Sequence, residues 1–434
     1  MRVPFDRVLL SVVFILVLIG LLNMYSASYY LDRSIFVKQV IWVILGIALM
    51  LVITFTNYEV LVNNALVFYI GFLILTLLTL FVGKEIRGTK SWFSILGMGI
   101  QPSEFLKFGI LLLVAKFLSR EKLDLSKFSV FAILGLIFFV PVIVVMLQPD
   151  LGMAISYILF FLLFSVVIGV NKNYLLLFLF LIFSLSFFPF FNAYVDYLLK
   201  MGVIEDTSKT IKVLLSKDFA AAFLVSSFVF FFIAWFVSRV SRDKFRFWSG
   251  VLLVIFAIGI LGGNLVYNKL KPYQKNRIMV FFSPEVDRLG SGYNVIQSEI
   301  AVGSGGITGK GFMKGSQNKL NILPERTTDF AFSVLAEEWG FIGVIIVITL
   351  YIIMFFRFFW LIGTTEDMKS YVIVSGSMII IFINFTINML MVLGLAPVTG
   401  LPLPFISYGG SSMITNMALI GLVNSFYRER FKLI

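Results

Sequence analysis

With no histidine and no cysteine in its 434 residues, this chain cannot use an imidazole acid–base pair, a thiol nucleophile, a disulfide or a Cys/His zinc site. Proton transfer must run on Asp, Glu, Lys or Tyr. Gln101-Pro-Ser-Glu-Phe-Leu-Lys107 sets Glu104 and Lys107 three apart, on one face of a helix whose start suits Pro and Ser. The pair is either a capping acid with a snorkelling lysine or an ion pair in a polar cavity, since an ionisable group inside a span is costly. Pro324-Glu-Arg-Thr-Thr-Asp329 opens an apolar run at Phe330, with Glu337 and Glu338 farther along it. Asp329 is a helix cap or a functional acid. At the 1.5 Å rise of a helix the two glutamates lie about 12–14 Å deeper, marking an ion or substrate path or an ion pair between helices. Asp150, in Gln148-Pro-Asp-Leu-Gly152, stands at an outer boundary, as a functional acid or as only another helix start. The run Gly303-Ser-Gly-Gly-Ile-Thr-Gly-Lys-Gly311 brings backbone N–H groups and Lys310 together, as an anion cradle or as a loop meeting lipid headgroups. It is not a nucleotide P-loop, because no Ser or Thr follows Lys310 to hold a metal.

The elements that must hold these groups are membrane spans. Hydrophobic residues make up 60% of the chain and charged residues 13%, where a soluble fold carries roughly 25% charged residues. A span needs about 20 mainly apolar residues. Such segments fall at 8–27, 36–56, 60–82, 103–119, 129–147, 151–170, 174–193, 218–238, 248–267, 330–356, 371–394 and 409–427. The sequence therefore predicts an all-α polytopic membrane protein of about twelve transmembrane helices, a single integral membrane domain over 1–434. The first run exceeds a signal-peptide core and lacks a small-residue cleavage site, so it is expected to remain as a span.

The net charge of +12 fits cytoplasmic loops and anionic lipid rather than nucleic acid. Placing the N-terminus inside gathers Arg2, Arg7, Arg120, Lys122, Lys127, Arg239, Arg242, Lys244, Arg246, Arg428, Arg430 and Lys432 in the cytoplasm. Lys84, Arg87 and Lys90 stay outside, and an even number of spans returns the C-terminus inside. Two outer connections are more than spacers. Residues 268–329 are long and polar, with nine cations (Lys269, Lys271, Lys275, Arg277, Arg288, Lys310, Lys314, Lys319 and Arg326) against five acids. Long loops tend to be functional, and helical patterning over Tyr293–Val302 predicts a segment folded on the membrane surface. Residues 395–412 carry three prolines and three glycines in an apolar setting. Irregular backbone exposed to lipid would leave its polar groups unpaired, so this segment is expected to re-enter the protein and wall a cavity.

Asn388-x5-Gly394-Leu-Ala-Pro-Val-Thr-Gly400, continued by Leu-Pro-Leu-Pro-Phe-Ile-Ser-Tyr-Gly-Gly-Ser-Ser412, resembles the signature of the shape, elongation, division and sporulation (SEDS) family of RodA, FtsW and SpoVE. Gln101-Pro-Ser-Glu-x2-Lys107, Gln148-Pro-Asp-Leu-Gly152, Tyr273-Gln-x2-Arg277, Gly292-Tyr-x3-Gln-Ser298 and Pro324-Glu-x2-Thr-Asp-Phe330 match family blocks in order, over nearly the whole chain. Glu-Arg ahead of Thr-Asp, Gly315-Ser-Gln and short tails are most similar to elongation-type members. The resemblance implies a peptidoglycan glycosyltransferase of the cytoplasmic (inner) membrane, acting in cell elongation and rod-shape maintenance. Such enzymes polymerise lipid II: the 4-hydroxyl of the incoming GlcNAc attacks, undecaprenyl pyrophosphate leaves, and a β-1,4 bond forms with inversion. The implied partners are lipid II, undecaprenyl-linked glycan, membrane lipids and a class B penicillin-binding protein, a transpeptidase, with no nucleic acid.

Carried over residue by residue, the resemblance puts the essential carboxylate on Asp329 and a cavity pair on Glu104 and Lys107. Arg277, Gln297 and Ser298 match as substrate-binding residues, and Lys310, Ser407 and Ser412 complete that candidate set. Asp150, Glu337, Glu338 and Asn388 form a candidate secondary polar cavity. A carboxylate is ionised at pH 7 and can accept a hydroxyl proton. Cations, with a divalent ion such as Mg or Mn if one is used, would neutralise the departing diphosphate.

Two departures stand out. Thr327 occupies a position where relatives usually have His, and a hydroxyl cannot titrate near pH 7. The family typically has ten spans, so 174–238, with Lys200, Glu205, Asp206 and Lys217 in its outer loop, is expected to be an inserted helix pair, and 268–329 the large outer catalytic loop. The rival function is a lipid II flippase or lipid-linked sugar transporter, which needs groups near the midplane open to both sides; here the polar residues concentrate outside. A non-catalytic scaffold for wall synthesis is a third reading, and it predicts activity without Asp329.

Overall fold

Each of the twelve apolar segments falls on a helix. The computed structural model describes residues 5–430 apart from 87, 96, 121–122, 201–216, 242–243, 283, 288–289 and 321. Arg2, Arg87, Lys122, Glu205, Asp206, Arg242, Arg288 and Lys432, named above, lie outside the described residues. The helices run α1 Arg7–Tyr29, α2 Arg33–Phe55, a short α3 Tyr58–Asn63, α4 Ala65–Val82, α5 Pro102–Leu118, α6 Phe128–Leu147 and α7 Leu151–Val167. They continue as α8 Lys172–Lys200, α9 Lys217–Ser241, α10 Lys244–Lys269, α11 Pro272–Phe282, α12 Ser291–Ser304, α13 Ser316–Lys319, α14 Ala331–Ile362, α15 Met368–Val392 and α16 Gly410–Arg430.

Eight of these, α1, α2, α4, α6, α8, α10, α14 and α15, are long and apolar enough to cross a membrane. The case of α5 shows why length and hydropathy miss some spans. It has 17 residues and carries Glu104 and Lys107, yet nearly all of it is buried in protein, and a helix shielded from lipid need not be apolar throughout.

The chain divides into two compact units, Met1–Ile168 with Asn294–Ile434, and Gly169–Tyr293. In the first, α2 packs on α16, α4 on α5, α6 on α7 and α1 on α14, while α5 and α15 meet each other and both touch α16, and α15 also packs on α7. Asp6, Asp32 and Asp367 cap α1, α2 and α15 by accepting from the N–H groups of Leu9, Ser34 and Ser370. At Gly20 of α1 a Cβ would fall 2.4 Å from the Phe405 carbonyl oxygen, so only glycine admits the 395–409 segment there. In the second unit α8, α9 and α10 pack together and α11 lies on α8. Asn192 Nδ2 donates to Asn264 Oδ1 at 2.8 Å and the Tyr267 hydroxyl to Asp196, polar bonds of the kind that join helices in lipid.

Two features differ from the sequence expectation. The outer connection after α4 is a three-stranded antiparallel sheet, β1 Lys84–Ile86, β2 Thr89–Ile95 and β3 Met98–Ile100. Phe93 pairs with Ile100 and Ile95 with Met98 across a turn at Gly97, whose φ is +73°. Strands this short leave no trace in a search for long apolar windows.

The second difference concerns α14, which is not a continuous helix. Gly340 has φ 65° and ψ −163°, and residues 305–311 lie against the break. Phe341 and Ile342 donate backbone N–H to the Gly306 and Ile307 carbonyls (2.9 and 3.1 Å), while Lys310 and Gly311 donate to those of Glu337 and Glu338 (both 3.0 Å). A Cβ on Gly340 would sit 2.2 Å from the Gly309 nitrogen. The helix is continuous from Ala331 through Glu337 and Glu338 and breaks just beyond them, so the two acids stand buried beside the interruption. The predicted helix over 293–302 is present as α12, and the 268–329 segment is shared between the two units.

Candidate active site

Asp329 lies one residue before the N-cap of α14, which is Phe330 and makes no side-chain cap. The turn that carries it closes when the N–H groups of Thr328 and Phe330 both donate to the Glu325 carbonyl at 3.2 Å. From α15, Asn388 Nδ2 donates to the Asp329 carbonyl at 3.0 Å and to the Leu401 carbonyl at 2.8 Å. The Tyr408 N–H donates to the Thr327 carbonyl at 2.8 Å, so the 395–409 segment is stitched to the acidic turn twice. A Cβ on Gly400, whose φ is +79°, would lie 3.8 Å from Asp329 Oδ2. The carboxylate thus abuts this segment. From α1, Ala331 and Arg326 are held by Asn23 Nδ2 (2.8 Å to the Ala331 carbonyl) and by the Ala27 carbonyl (2.8 Å from Arg326 Nε). Burial pulls the Arg326 guanidinium below its usual pKa, but that range starts so high that the cation stays charged at pH 7.

The 395–409 segment is irregular backbone inside protein, as expected. Leu401, Leu403, Phe405 and Ile406 are buried, the Tyr351 hydroxyl donates to the Pro404 carbonyl, and Ser407 Oγ accepts from the Leu403 N–H at 3.1 Å. Lys107 is 1% exposed, which rules out snorkelling to water. Its Nζ donates to Glu104 Oε2 at 3.1 Å and to Asn384 Oδ1 of α15 at 3.4 Å. Just before it, Gln101 donates from its backbone N–H to Ser411 Oγ at 2.7 Å and from Nε2 to Asp150 Oδ2 at 2.8 Å. Asp150 also caps α7 through Met153. A Cβ on Gly152 would be 2.1 Å from the Thr399 carbonyl oxygen. The starts of α5, α7 and α16 therefore meet the same segment that Asp329 touches. Within these elements Ser103 Oγ, Thr399 Oγ1, Asn384 Nδ2 and Asn388 Oδ1 are buried without a hydrogen-bond partner, capacity that a polar ligand can use.

The glycine-rich run is held by the protein's own acids. Fully buried Glu337 accepts from Lys310 Nζ (2.6 Å), Ser316 N and Oγ (2.9 and 2.7 Å) and Gln317 N (3.2 Å). Glu338 accepts from Ser26 Oγ at 2.6 Å and Met313 N at 3.1 Å. These bonds clasp residues 303–317 to the α14 break. Replacing Glu337 by Ala strands a buried set of donors, so we expect a loss of about 3 kcal/mol in stability and faster proteolysis within 303–317. Lys310→Met takes the cation from a fully buried carboxylate and should likewise cost about 3 kcal/mol. Limited proteolysis and thermal denaturation measure both, and unchanged cleavage of the Glu337 variant contradicts the clasp.

The remaining candidates are dispersed. Ser298 Oγ bonds Ser333 Oγ at 2.7 Å and the Val392 carbonyl at 2.8 Å, pinning α12 to α14 and α15; Gln297 beside it is half-buried. Ser412 Oγ accepts from Asn416 Nδ2 at 3.2 Å. Arg277 belongs to the second unit, where its guanidinium stands 5.8 Å from the Tyr273 ring. Sequence reasoning passed over Asn384, Gln101 and Gly400. A signal for Asn384 existed: it shares one face of an apolar helix with Asn388, four residues on. Among the described residues no three Asp, Glu, His or Cys side chains converge to hold a metal. Mg²⁺ is commonly bound by one or two carboxylates and substrate phosphates, and Asp329 fits that donor role.

Fold and site together define a polytopic membrane protein whose buried acid and ion pair are framed by a re-entrant segment. A family model described as cell cycle protein, of FtsW, RodA and SpoVE, matches residues 6–204 and 207–432, and the chain belongs to this family. The match runs through the 174–238 helix pair with a gap only at 205–206. The chain is similar to the peptidoglycan glycosyltransferase RodA of Treponema pallidum (strain Nichols), 33% identical over 436 residues and covering 97% of each chain. It is also similar to the peptidoglycan glycosyltransferase MrdB of Escherichia coli (strain K12), 30% identical over 429 residues, covering 99% of this chain and 95% of that one. Among solved structures, one described as structural coordination of polymerization and crosslinking by a peptidoglycan synthase complex has a chain with TM-score 0.68 and 26% identity, covering 99% of this chain and 100% of that one. The crystal structure of the rod shape determining protein RodA of Thermus thermophilus matches with TM-score 0.61 and 25% identity over 98% of both chains.

Proposed function

We propose that this chain is an inverting peptidoglycan glycosyltransferase that polymerises lipid II at the outer face of the cytoplasmic membrane, in cell elongation. The observation that carries the reading is the seating of Asp329: buried in the turn that precedes α14 and set against Gly400 of the re-entrant segment. Its carboxylate accepts the proton of the sugar 4-hydroxyl as that oxygen attacks the anomeric carbon, and undecaprenyl diphosphate leaves with the bonding electrons. Lys107, fixed by Glu104 and Asn384, offers positive charge to the departing diphosphate. A divalent cation would be held by Asp329 with the substrate's own diphosphate oxygens and would add to that neutralisation. Similarity to a chain of a peptidoglycan synthase complex supports a crosslinking partner, and we take it to be a class B penicillin-binding protein.

The test supplies lipid II to the purified full-length chain with that transpeptidase, in detergent and in vesicles. Glycan strands lengthening with time are expected. Movement of lipid II between leaflets with no polymer formed would instead make the chain a transporter.

A further inference from the structure

Two asparagines on α15 connect groups that the proposed mechanism uses separately. Asn384 and Asn388 are one helical turn apart on one face and fully buried. The first accepts from Lys107 Nζ through Oδ1. The second reaches the acidic turn: its Nδ2 is shared between the carbonyls of Asp329 and Leu401. α15 runs uninterrupted from Met368 to Val392 and is 78% buried over its spanning window, more than any other of the eight candidate spans. Four residues of helix fix an axial separation of about 6 Å, and a buried, packed helix holds it with little play.

We propose that Asn384 and Asn388 are positioning residues, which index the leaving-group cation and the general base to one rigid helix. The proposal rests on the reading of Asp329 as base and Lys107 as the leaving-group cation. Neither asparagine needs to touch the sugar. Asn388 acts on the main chain of Asp329 and of the segment facing its carboxylate, so it sets where the base points. Asn384 acts on the ammonium group that Glu104 alone would leave free to pivot. The hydrogen bonds of Asn388 are made to two carbonyls from distant parts of the chain, a bridge that a hydrophobic side chain of equal volume cannot make and that an aspartate would turn into repulsion.

The two links should fail differently. A small misplacement of a reacting group can cost on the order of 10²-fold in turnover, whereas a cation that contacts the diphosphate in the bound substrate acts on binding as well. For the full-length chain with its transpeptidase, Asn388→Leu is expected to lower kcat for lipid II on the order of 10²-fold while KM stays within about threefold. Asn388→Ser, which keeps one donor, should recover part of that loss. Asn384→Leu should raise KM for lipid II, with kcat falling less than in Asn388→Leu. Thermal midpoints are recorded for each variant, and if Asn388→Leu does not accumulate, Asn388→Ser carries the test. Wild-type turnover in the Ser and Leu variants overturns the proposal, as does an equal loss in both asparagine variants that simply tracks their thermal midpoints. If the unsubstituted protein makes no polymer from lipid II, it is the glycosyltransferase reading that fails, and the two outcomes are thereby separated.

Discussion

Asp329→Asn should lower lipid II polymerisation by about 10²- to 10⁴-fold, the range spanned by loss of a positioned general base, while the chain still inserts and folds. The amide keeps the size of the carboxylate and one of its acceptor oxygens, so contacts to the neighbouring segment survive. What it loses is the capacity to take a proton at neutral pH. Asp329→Ala should be at least as inactive. Asn388 bonds the main-chain carbonyl of Asp329 and not its side chain, so that link between the turn and α15 survives both substitutions. Both variants can be followed by glycan-strand assay and thermal unfolding with the transpeptidase present. Wild-type rates from either remove Asp329 from the mechanism and favour a scaffold.

Lys107→Met separates two roles that one residue carries. Glu104 is 3% exposed and is left without its counter-charge. Breaking a buried pair by removing one partner costs about 3–5 kcal/mol, whereas replacing both partners by neutral groups can be nearly neutral. The single variant should therefore be both less stable and inactive. The double variant Glu104→Gln with Lys107→Met should regain most of the stability and none of the turnover, since no cation remains for the departing diphosphate. Recovery of polymerisation in the double variant would show that Lys107 serves the fold alone.

Much of this architecture could be read from the residues. The twelve apolar runs, the helix over Tyr293–Val302, and the demand that a Pro- and Gly-rich outer segment lie inside protein each follow from backbone hydrogen bonding in lipid. The Glu104–Lys107 pair was legible from its spacing of three. What the residues did not show was set by distant partners. Glu337 and Glu338 are buried as read, but nothing local announces the break at Gly340 just beyond them; only the docking of 305–311 explains it. The spacing of four from Asn388 flags Asn384 as polar on a shared face, but its role follows from Lys107 arriving from another helix. Gly400 was one of three glycines in an irregular segment, and only the fold shows that it faces Asp329. Asp150 and Ser298, read as site residues, also join helices, a duty that residue type cannot distinguish from ligand contact.

The bonds that shape the acidic turn come from Asn23, Ala27, Asn388 and Tyr408, at opposite ends of the gene product. A ribosome that has released the turn itself has not yet supplied its last two anchors. Contacts so remote in sequence form late, so the reactive geometry arises only as the final hairpin enters the bilayer. A nascent chain that stalls before that point carries every acid and cation of the centre yet holds none of them in working order, which keeps half-made copies from acting on cell-wall precursors.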